Sequence, residues 1–187
     1  MNRTSVLFVC LGNICRSPLA EGVFRHRVNE GGLRDRFEID SAGTGGWHVG
    51  NPPDPRSRAV AEKHGVSLEG QAARRVSPDD FDRFDWIVAM DRANARDLEA
   101  LRGEGGAVGG GGPAGAGGAA GAGGPAGAGG PAPRRHRARI VLLRDFDPEP
   151  GDGEVPDPYY GGPGGFDDVY AMVDRSCAAL LEHLDGE

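Results

Sequence analysis

The chain is poor in cysteine, lysine, aromatic residues and long apolar runs, and each shortage removes a class of protein. Three cysteines (Cys10, Cys15 and Cys177) in 187 residues are too few, and odd in number, for the disulfide framework of a small secreted domain. No apolar run approaches the roughly 20 residues needed to span a bilayer. The N-terminus also lacks the long apolar region of a signal peptide. A cytoplasmic protein with no membrane span is expected. Lys63 is the one lysine, the other cations are arginine, and the net charge is −7. That balance argues against a general nucleic-acid binder, whose surface would be basic. His26, His48, His64 and His183 show no metal-ligand spacing and read as surface or helix-end residues. Cys10 and Cys15 lack the further ligands a zinc site needs, so no metal is expected.

Glycine is abundant, and it is concentrated. Residues 103–133 hold 16 of the 33 glycines and 4 of the 14 prolines. Removing those 31 positions leaves 187 − 31 = 156 residues, one domain's worth, with enough Val, Ile, Leu, Phe and Ala for a core without staples. The tract repeats Pro-Ala-Gly-Ala-Gly-Gly at 113–118 and 125–130. Glycine does not recur at every third position, which excludes collagen. The expectation is a single domain over 1–187, interrupted by a flexible insertion at 103–133.

Elsewhere, short β-rich runs alternate with helical patterns. Residues 5–9, 37–41, 85–90 and 139–143 read as strands; 18–28, 55–64, 92–101 and 166–184 read as helices. Ser17-Pro18 looks like a helix start with serine as the cap. In the last helix Val169, Val173, Cys177, Leu180, Leu181 and Leu184 form one apolar stripe, which makes Cys177 a core residue. Alternating strands and helices imply an α/β domain with parallel strands and right-handed crossovers. The insertion leads into the fourth strand, and so falls at the sheet edge opposite the one where such folds bind ligands.

The segment Cys10-Leu11-Gly12-Asn13-Ile14-Cys15-Arg16-Ser17 links the first strand to the first helix. Backbone N–H groups in such a loop converge on one point, and the helix N-terminus adds positive potential there. Gly12 and Asn13 suit unusual backbone angles, and the planar fork of Arg16 matches two phosphate oxygens. The same field favours a thiolate over a thiol, the form in which a cysteine attacks phosphorus. Ser17 is placed to donate a hydrogen bond to it. An acid for the leaving oxygen has to come from a loop at the same edge. Asp157 is chosen, because Tyr159 and Tyr160 follow it and suit an aromatic substrate. Asp54-Pro55 and Asp147-Pro148 read as plain turns.

These residues, with Ser41-Ala-Gly-Thr-Gly-Gly-Trp47-His-Val-Gly50, Ala89-Met-Asp91-Arg and Asp157-Pro-Tyr-Tyr160-Gly, resemble the low-molecular-weight protein tyrosine phosphatases, most of all the bacterial members. The resemblance implies a four-stranded parallel sheet flanked by helices in three layers, with the phosphate loop after the first strand. It also implies hydrolysis of phosphotyrosine in protein substrates through a phosphocysteine, with no cofactor. Cys10 would be the nucleophile and Arg16 the phosphoryl ligand. Asp157 would be acid and then base. Asn13, Ser17 and Ser41 match a network that supports the loop, while Trp47 and Tyr159 or Tyr160 match cleft positions. Many relatives carry a supporting histidine where this chain has Gln71, whose amide is expected to make a similar bond to the loop asparagine.

Cys15 matches a second family cysteine, either a resolving thiol that protects Cys10 from over-oxidation or a small packing residue. Arsenate reduction on related folds uses a relay of extra cysteines, and residues 75–90 contain none. Protein-arginine phosphatases share the fold, but the resemblance suggests that they favour a threonine at the position of Ile14. A phosphopeptide-binding module without chemistry would be expected to lack Cys10 or Asp157. The basic run at 134–139 reads as a solvated approach to the fourth strand.

Overall fold

The computed structural model describes residues 3–105, 138–162 and 164–186. Four strands, β1 (Thr4–Cys10), β2 (Phe37–Gly43), β3 (Trp86–Ala89) and β4 (Arg139–Leu142), form one sheet in the order β2-β1-β3-β4. Every pairing is parallel, as the alternating pattern predicts. The crossovers carry helices α1 (Arg16–Glu30), α2 (Pro55–Lys63), the short α3 (Asp80–Arg83) and α4 (Arg92–Gly105), and α5 (Gly165–Asp185) closes the chain.

β1 is buried on both faces because it is central, and its period of two divides the core. Val6, Phe8 and Cys10 join Leu19, Val23 and Phe24 of α1 and Val169, Val173, Cys177 and Leu180 of α5. Leu7 and Val9 pack on the opposite side with Phe81, Phe84 and Leu98. The result is three layers, and it fixes which way the last residue of β1 points. Cys177 lies fully inside the first core, on the stripe expected of α5.

Three local readings need correction. Ser17 does not cap α1; the helix begins at Arg16, the cap position falls to Cys15, and the Ser17 hydroxyl turns to the loop instead. Asp54 is the N-cap of α2, its carboxylate accepting the Arg56 N–H at 2.8 Å with Pro55 at the first helical position. It is a helix start rather than a plain turn. Asp147 is a buried anchor for Arg144, Arg175 and Ser176.

α4 extends to Gly105, so the first three positions of the expected insertion belong to a helix. The rest of that segment, and residues 134–137 of the basic run, lie outside the described residues. β4 begins at Arg139, at the sheet edge opposite the C-terminal end of β1.

Candidate active site

The connections leaving β1 and β2 go to opposite sides of β1, so a crevice opens beyond the C-terminal end of that strand, the usual ligand position in such sheets. Cys10 is the last residue of β1 and lies at its floor, 3% exposed. The pocket above it, about 380 Å3, is lined by the loop together with Trp47, His48, Asp157, Tyr159 and Tyr160.

The loop is shaped by what its carbonyls do. Cys10 O and Leu11 O accept from Thr44 N–H and Gly45 N–H, each at 2.9 Å, and Ile14 O accepts from Asp54 N–H at 2.7 Å. Cys15 O accepts from the Ser57 hydroxyl at 3.3 Å. In a trans peptide the N–H points away from its carbonyl, so outward carbonyls leave the N–H groups of the same peptides facing inward. Asn13 N–H reaches the Cys10 sulfur at 3.3 Å. The chain crosses β2 closely here, and a Cβ on Gly43 would stand 2.8 Å from Leu11 O, which requires glycine.

Asn13 has φ +54, the only positive value outside glycine among the described residues. Such a conformation costs roughly 1–3 kcal/mol unless its surroundings hold it, and here they do. Its amide donates to Ser17 Oγ at 2.8 Å and Ser41 Oγ at 3.0 Å, and its carbonyl accepts from Arg74 N–H at 2.9 Å. Ser41 in turn donates to the Glu21 carboxylate at 2.6 Å. Ser17 Oγ, already an acceptor for Asn13, lies 3.0 Å from the Cys10 sulfur and 3.4 Å from Ala42 O, the two groups its proton can serve. Burial pushes the Glu21 carboxyl up, against the pull of Ser41 and Arg25.

Gln71 is not part of this network. Its amide donates to Pro18 O at 3.1 Å, and its own carbonyl oxygen is buried without a hydrogen bond. The expected bond to Asn13 is absent: the Asn13 carbonyl takes the backbone N–H of Arg74, three residues on, and the Gln71 amide turns to Pro18 O.

Arg16 is buried, with Nη1 donating to Asp91 Oδ2 at 2.6 Å and Val155 O at 3.0 Å. Burial opposes its charge, but the facing charge of Cys10, the bond to Asp91 and the charges of Asp91 and Asp157 outweigh that, and the guanidinium stays above its ordinary value. Its Nη2 lies 3.5 Å from Asp157 Oδ2. Among the described residues Nε and Nη2 make no directed hydrogen bond to protein, so a bound anion competes on that edge of the fork only with the ion-pair contact of Asp157. Asp157 is half exposed and caps its own turn, accepting Tyr159 N–H at 3.0 Å.

Asp91 had no role assigned from sequence. It follows β3 at the same sheet edge, its Oδ1 accepting Asn94 N–H at the start of α4 while Oδ2 holds Arg16. An acidic residue between a strand end and a helix start was the available signal. His48, read as a surface residue, lies instead against the loop, where a Cβ on Gly12 would meet its ring at 3.1 Å. Trp47 folds over Gly45, leaving no room for a Cβ there, and forms one wall; Tyr159 and Tyr160 form the other. Cys15 is buried and its thiol is pushed up to about 12, first by burial and then by the negative charges of Asp54, Cys10 and Asp157. The described residues hold no cluster of metal-ligating side chains, and no helix among them is long and apolar enough to cross a membrane.

The family model described as "Low molecular weight phosphotyrosine protein phosphatase" matches residues 5–107 and 130–187. The chain belongs to this family. The gap in the match falls inside the glycine-rich tract. A low molecular weight protein-tyrosine-phosphatase of Streptomyces coelicolor is 42% identical over 179 residues, 94% of this chain and 90% of the relative. The human low molecular weight phosphotyrosine protein phosphatase is 36% identical over 178 residues, covering 95% and 94%. Among solved structures, YfkJ from Bacillus subtilis superposes with a TM-score of 0.78 at 35% identity, covering 100% of this chain and 97% of that one. The Drosophila arginine phosphatase does so with 0.75 at 32% identity, covering 96% of each.

Proposed function

We propose that the chain is a protein tyrosine phosphatase: one catalytic domain, interrupted by the 103–133 tract, acting in the cytoplasm on phosphotyrosine-bearing proteins. The observation that carries this reading is the buried Cys10 sulfur, 3.0 Å from Ser17 Oγ, at the floor of a pocket that also presents Arg16 and Asp157. The Cys10 thiolate attacks phosphorus, and an S–P bond forms as the P–O bond to the phenol breaks. Asp157 gives its proton to the departing oxygen. As a carboxylate it then takes a proton from water, which attacks the phosphocysteine and releases phosphate and thiolate. Inward N–H groups and Arg16 hold the phosphoryl oxygens throughout, where charge accumulates. No step requires a metal.

Depth selects the substrate. A phosphoserine is too short to bring phosphorus to a sulfur at the pocket floor without driving its own backbone into the rim. A phenyl ring spans that depth between Trp47 and the two tyrosines, and Ile14 on the wall suits its flat face. Cys15 is the resolving thiol: peroxide converts Cys10 to a sulfenic acid, and Cys15 attack forms the disulfide and expels water. A reducing compartment keeps Cys10 and Cys15 as the free thiols that this chemistry needs.

Steady-state hydrolysis of a phosphotyrosine peptide, against phosphoserine and phosphoarginine peptides, tests the reading. Selective phosphotyrosine turnover, with trapping of the radiolabelled phosphoenzyme on Cys10, is expected. A preference for phosphoarginine would overturn the argument from Ile14, and a folded protein inert on all three would leave only a phosphate-binding module.

A further inference from the structure

Behind the segment that carries Asp157 lies a buried ionic cluster that the chemistry above does not use. Arg144, in the single turn Leu143–Phe146 that follows β4, has a side chain only 4% exposed. Its Nη2 donates to Glu149 O at 2.7 Å and its Nη1 to Glu154 O at 3.3 Å. These two carbonyls stand at either end of the 150–153 turn, so one guanidinium closes its neck. Nε lies 3.0 Å from Asp147 Oδ2, an ion-pair contact rather than a directed hydrogen bond. Asp147 is fully buried and fixed on its other sides by Glu149 N–H at 2.9 Å, Ser176 Oγ at 3.2 Å and Arg175 Nε at 3.2 Å.

A buried ion pair is a poor source of stability, because desolvation cancels much of its attraction. Its yield is geometry: a planar fork accepts only one arrangement of two carbonyls and a carboxylate. The strand of contacts runs on toward the chemistry. Val155, next after Glu154, is fully buried. Its N–H donates to Met90 O at 2.8 Å, and its carbonyl receives Arg16 Nη1 at 3.0 Å. Asp157 follows two residues later, held besides by its own turn to Tyr159 N–H at 3.0 Å and by Arg56 Nη1 on Tyr159 O at 3.2 Å.

We propose that Arg144, seated on Asp147, is a positioning residue for the acid step: it fixes residues 149–154 and, through the buried Val155, sets the reach of Asp157. This inference rests on the phosphatase reading. Its signature is selective. Proton donation matters most when the leaving oxygen is strongly basic and least when it departs readily as an anion.

The test measures kcat/KM, which reports the steps up to phosphocysteine formation and not its shared hydrolysis, for wild type and Arg144→Met across aryl phosphates, from phenyl phosphate to a dinitrophenyl phosphate, with thermal unfolding alongside. The expected result is about a tenfold fall in kcat/KM on phenyl phosphate, part of the roughly 10²–10⁴-fold that a general acid supplies. On the activated substrate the fall should be under about twofold. An equal loss of kcat/KM on every leaving group, or a lowered Tm with unchanged kcat/KM, would overturn the proposal. Should Arg144→Met not fold, Arg144→Lys decides, since one ammonium cannot serve both carbonyls and Asp147; a wild-type leaving-group slope in that variant overturns it. Wild-type protein inert on phosphotyrosine would instead sink the phosphatase reading. Active wild type with slope-neutral Arg144 variants sinks this inference alone.

Discussion

The loop of residues 10–16 and the segment around Asp157 face the same pocket but are held in opposite ways. In the loop, Asn13 uses both amide donors and its acceptor on buried partners, and Arg16 is locked by Asp91 and Val155. On the other side Asp157 is 42% exposed and Tyr160 is 92% exposed. That segment is tied down by hydrogen bonds to its backbone, among them Arg56 Nη1 to Tyr159 O at 3.2 Å and Tyr159 N–H to Asp157 Oδ1 at 3.0 Å. The difference follows from the chemistry. The phosphoryl group must meet dipoles that need no rearrangement as charge develops, whereas the acid has to admit a ring and release a phenol. A rigid cradle faces a yielding wall.

Variants on the two sides should therefore fail differently. Cys10→Ser removes the nucleophile and should lower turnover by at least roughly 10⁴-fold while a phosphotyrosine peptide still binds. Asp157→Ala should lower kcat by about 10²–10⁴-fold with little change in KM. Steady-state kinetics paired with peptide binding by calorimetry checks both. A Cys10→Ser protein that loses binding as well would mean that the sulfur organises the cradle and does not merely occupy it.

Asn13→Ala attacks the cradle's frame. It leaves Ser17, Ser41 and the Arg74 N–H without their partner and puts alanine at φ +54. The expected loss is about 2–4 kcal/mol of stability, read by denaturant unfolding, with a fall in kcat. Unchanged stability would show that the loop is held by its outward carbonyls alone.

How much of this could be read along the chain depended on whether the contact was local. β1, its turn into α1 and the stripe of α5 are patterns of neighbouring residues, and they were legible. So was the grouping of Cys10, Asn13, Arg16 and Ser17, because one loop carries them. Asp91 meets Arg16 across 75 positions, and nothing near either residue encodes that meeting. Asp147-Pro148 has the spelling of a turn; only the packing of α5 against the 143–146 turn makes it an anchor. Arg144 had no role assigned along the chain, because the Glu149 and Glu154 carbonyls and Asp147 meet its guanidinium only in the folded turn. Gln71 was misjudged for the complementary reason: which donor in residues 70–75 reaches Asn13 is set by backbone register, and the Arg74 N–H took the place.

A pH experiment sharpens the contrast from the cradle side. Burial holds the Glu21 carboxyl above its ordinary 4.5. The native state then binds this proton more tightly than the unfolded chain, so stability falls as pH rises from about 4.5 through the raised native value. Glu21→Gln keeps an acceptor for Ser41 but cannot titrate, and its Tm should decline less over that range than the wild type's. Parallel curves would mean that Glu21 does not couple to folding.

The smallest effect belongs to the most exposed residue of the wall. Tyr160 contacts Tyr159 edge-on, ring centres 4.8 Å apart, and otherwise faces solvent. Tyr160→Ala should leave stability within about 0.5 kcal/mol and change turnover of a small aryl phosphate by less than about twofold. For a phosphotyrosine peptide, long enough to lean on the rim, loss of one aromatic contact of roughly 0.5–1.5 kcal/mol should raise KM by about two- to tenfold. Comparing the two substrates in one assay separates reach from chemistry. If Tyr160→Ala lowered kcat on the small substrate as far as Asp157→Ala does, the exposed segment would be as tightly integrated as the loop beneath it, and the division between cradle and wall would have to be redrawn.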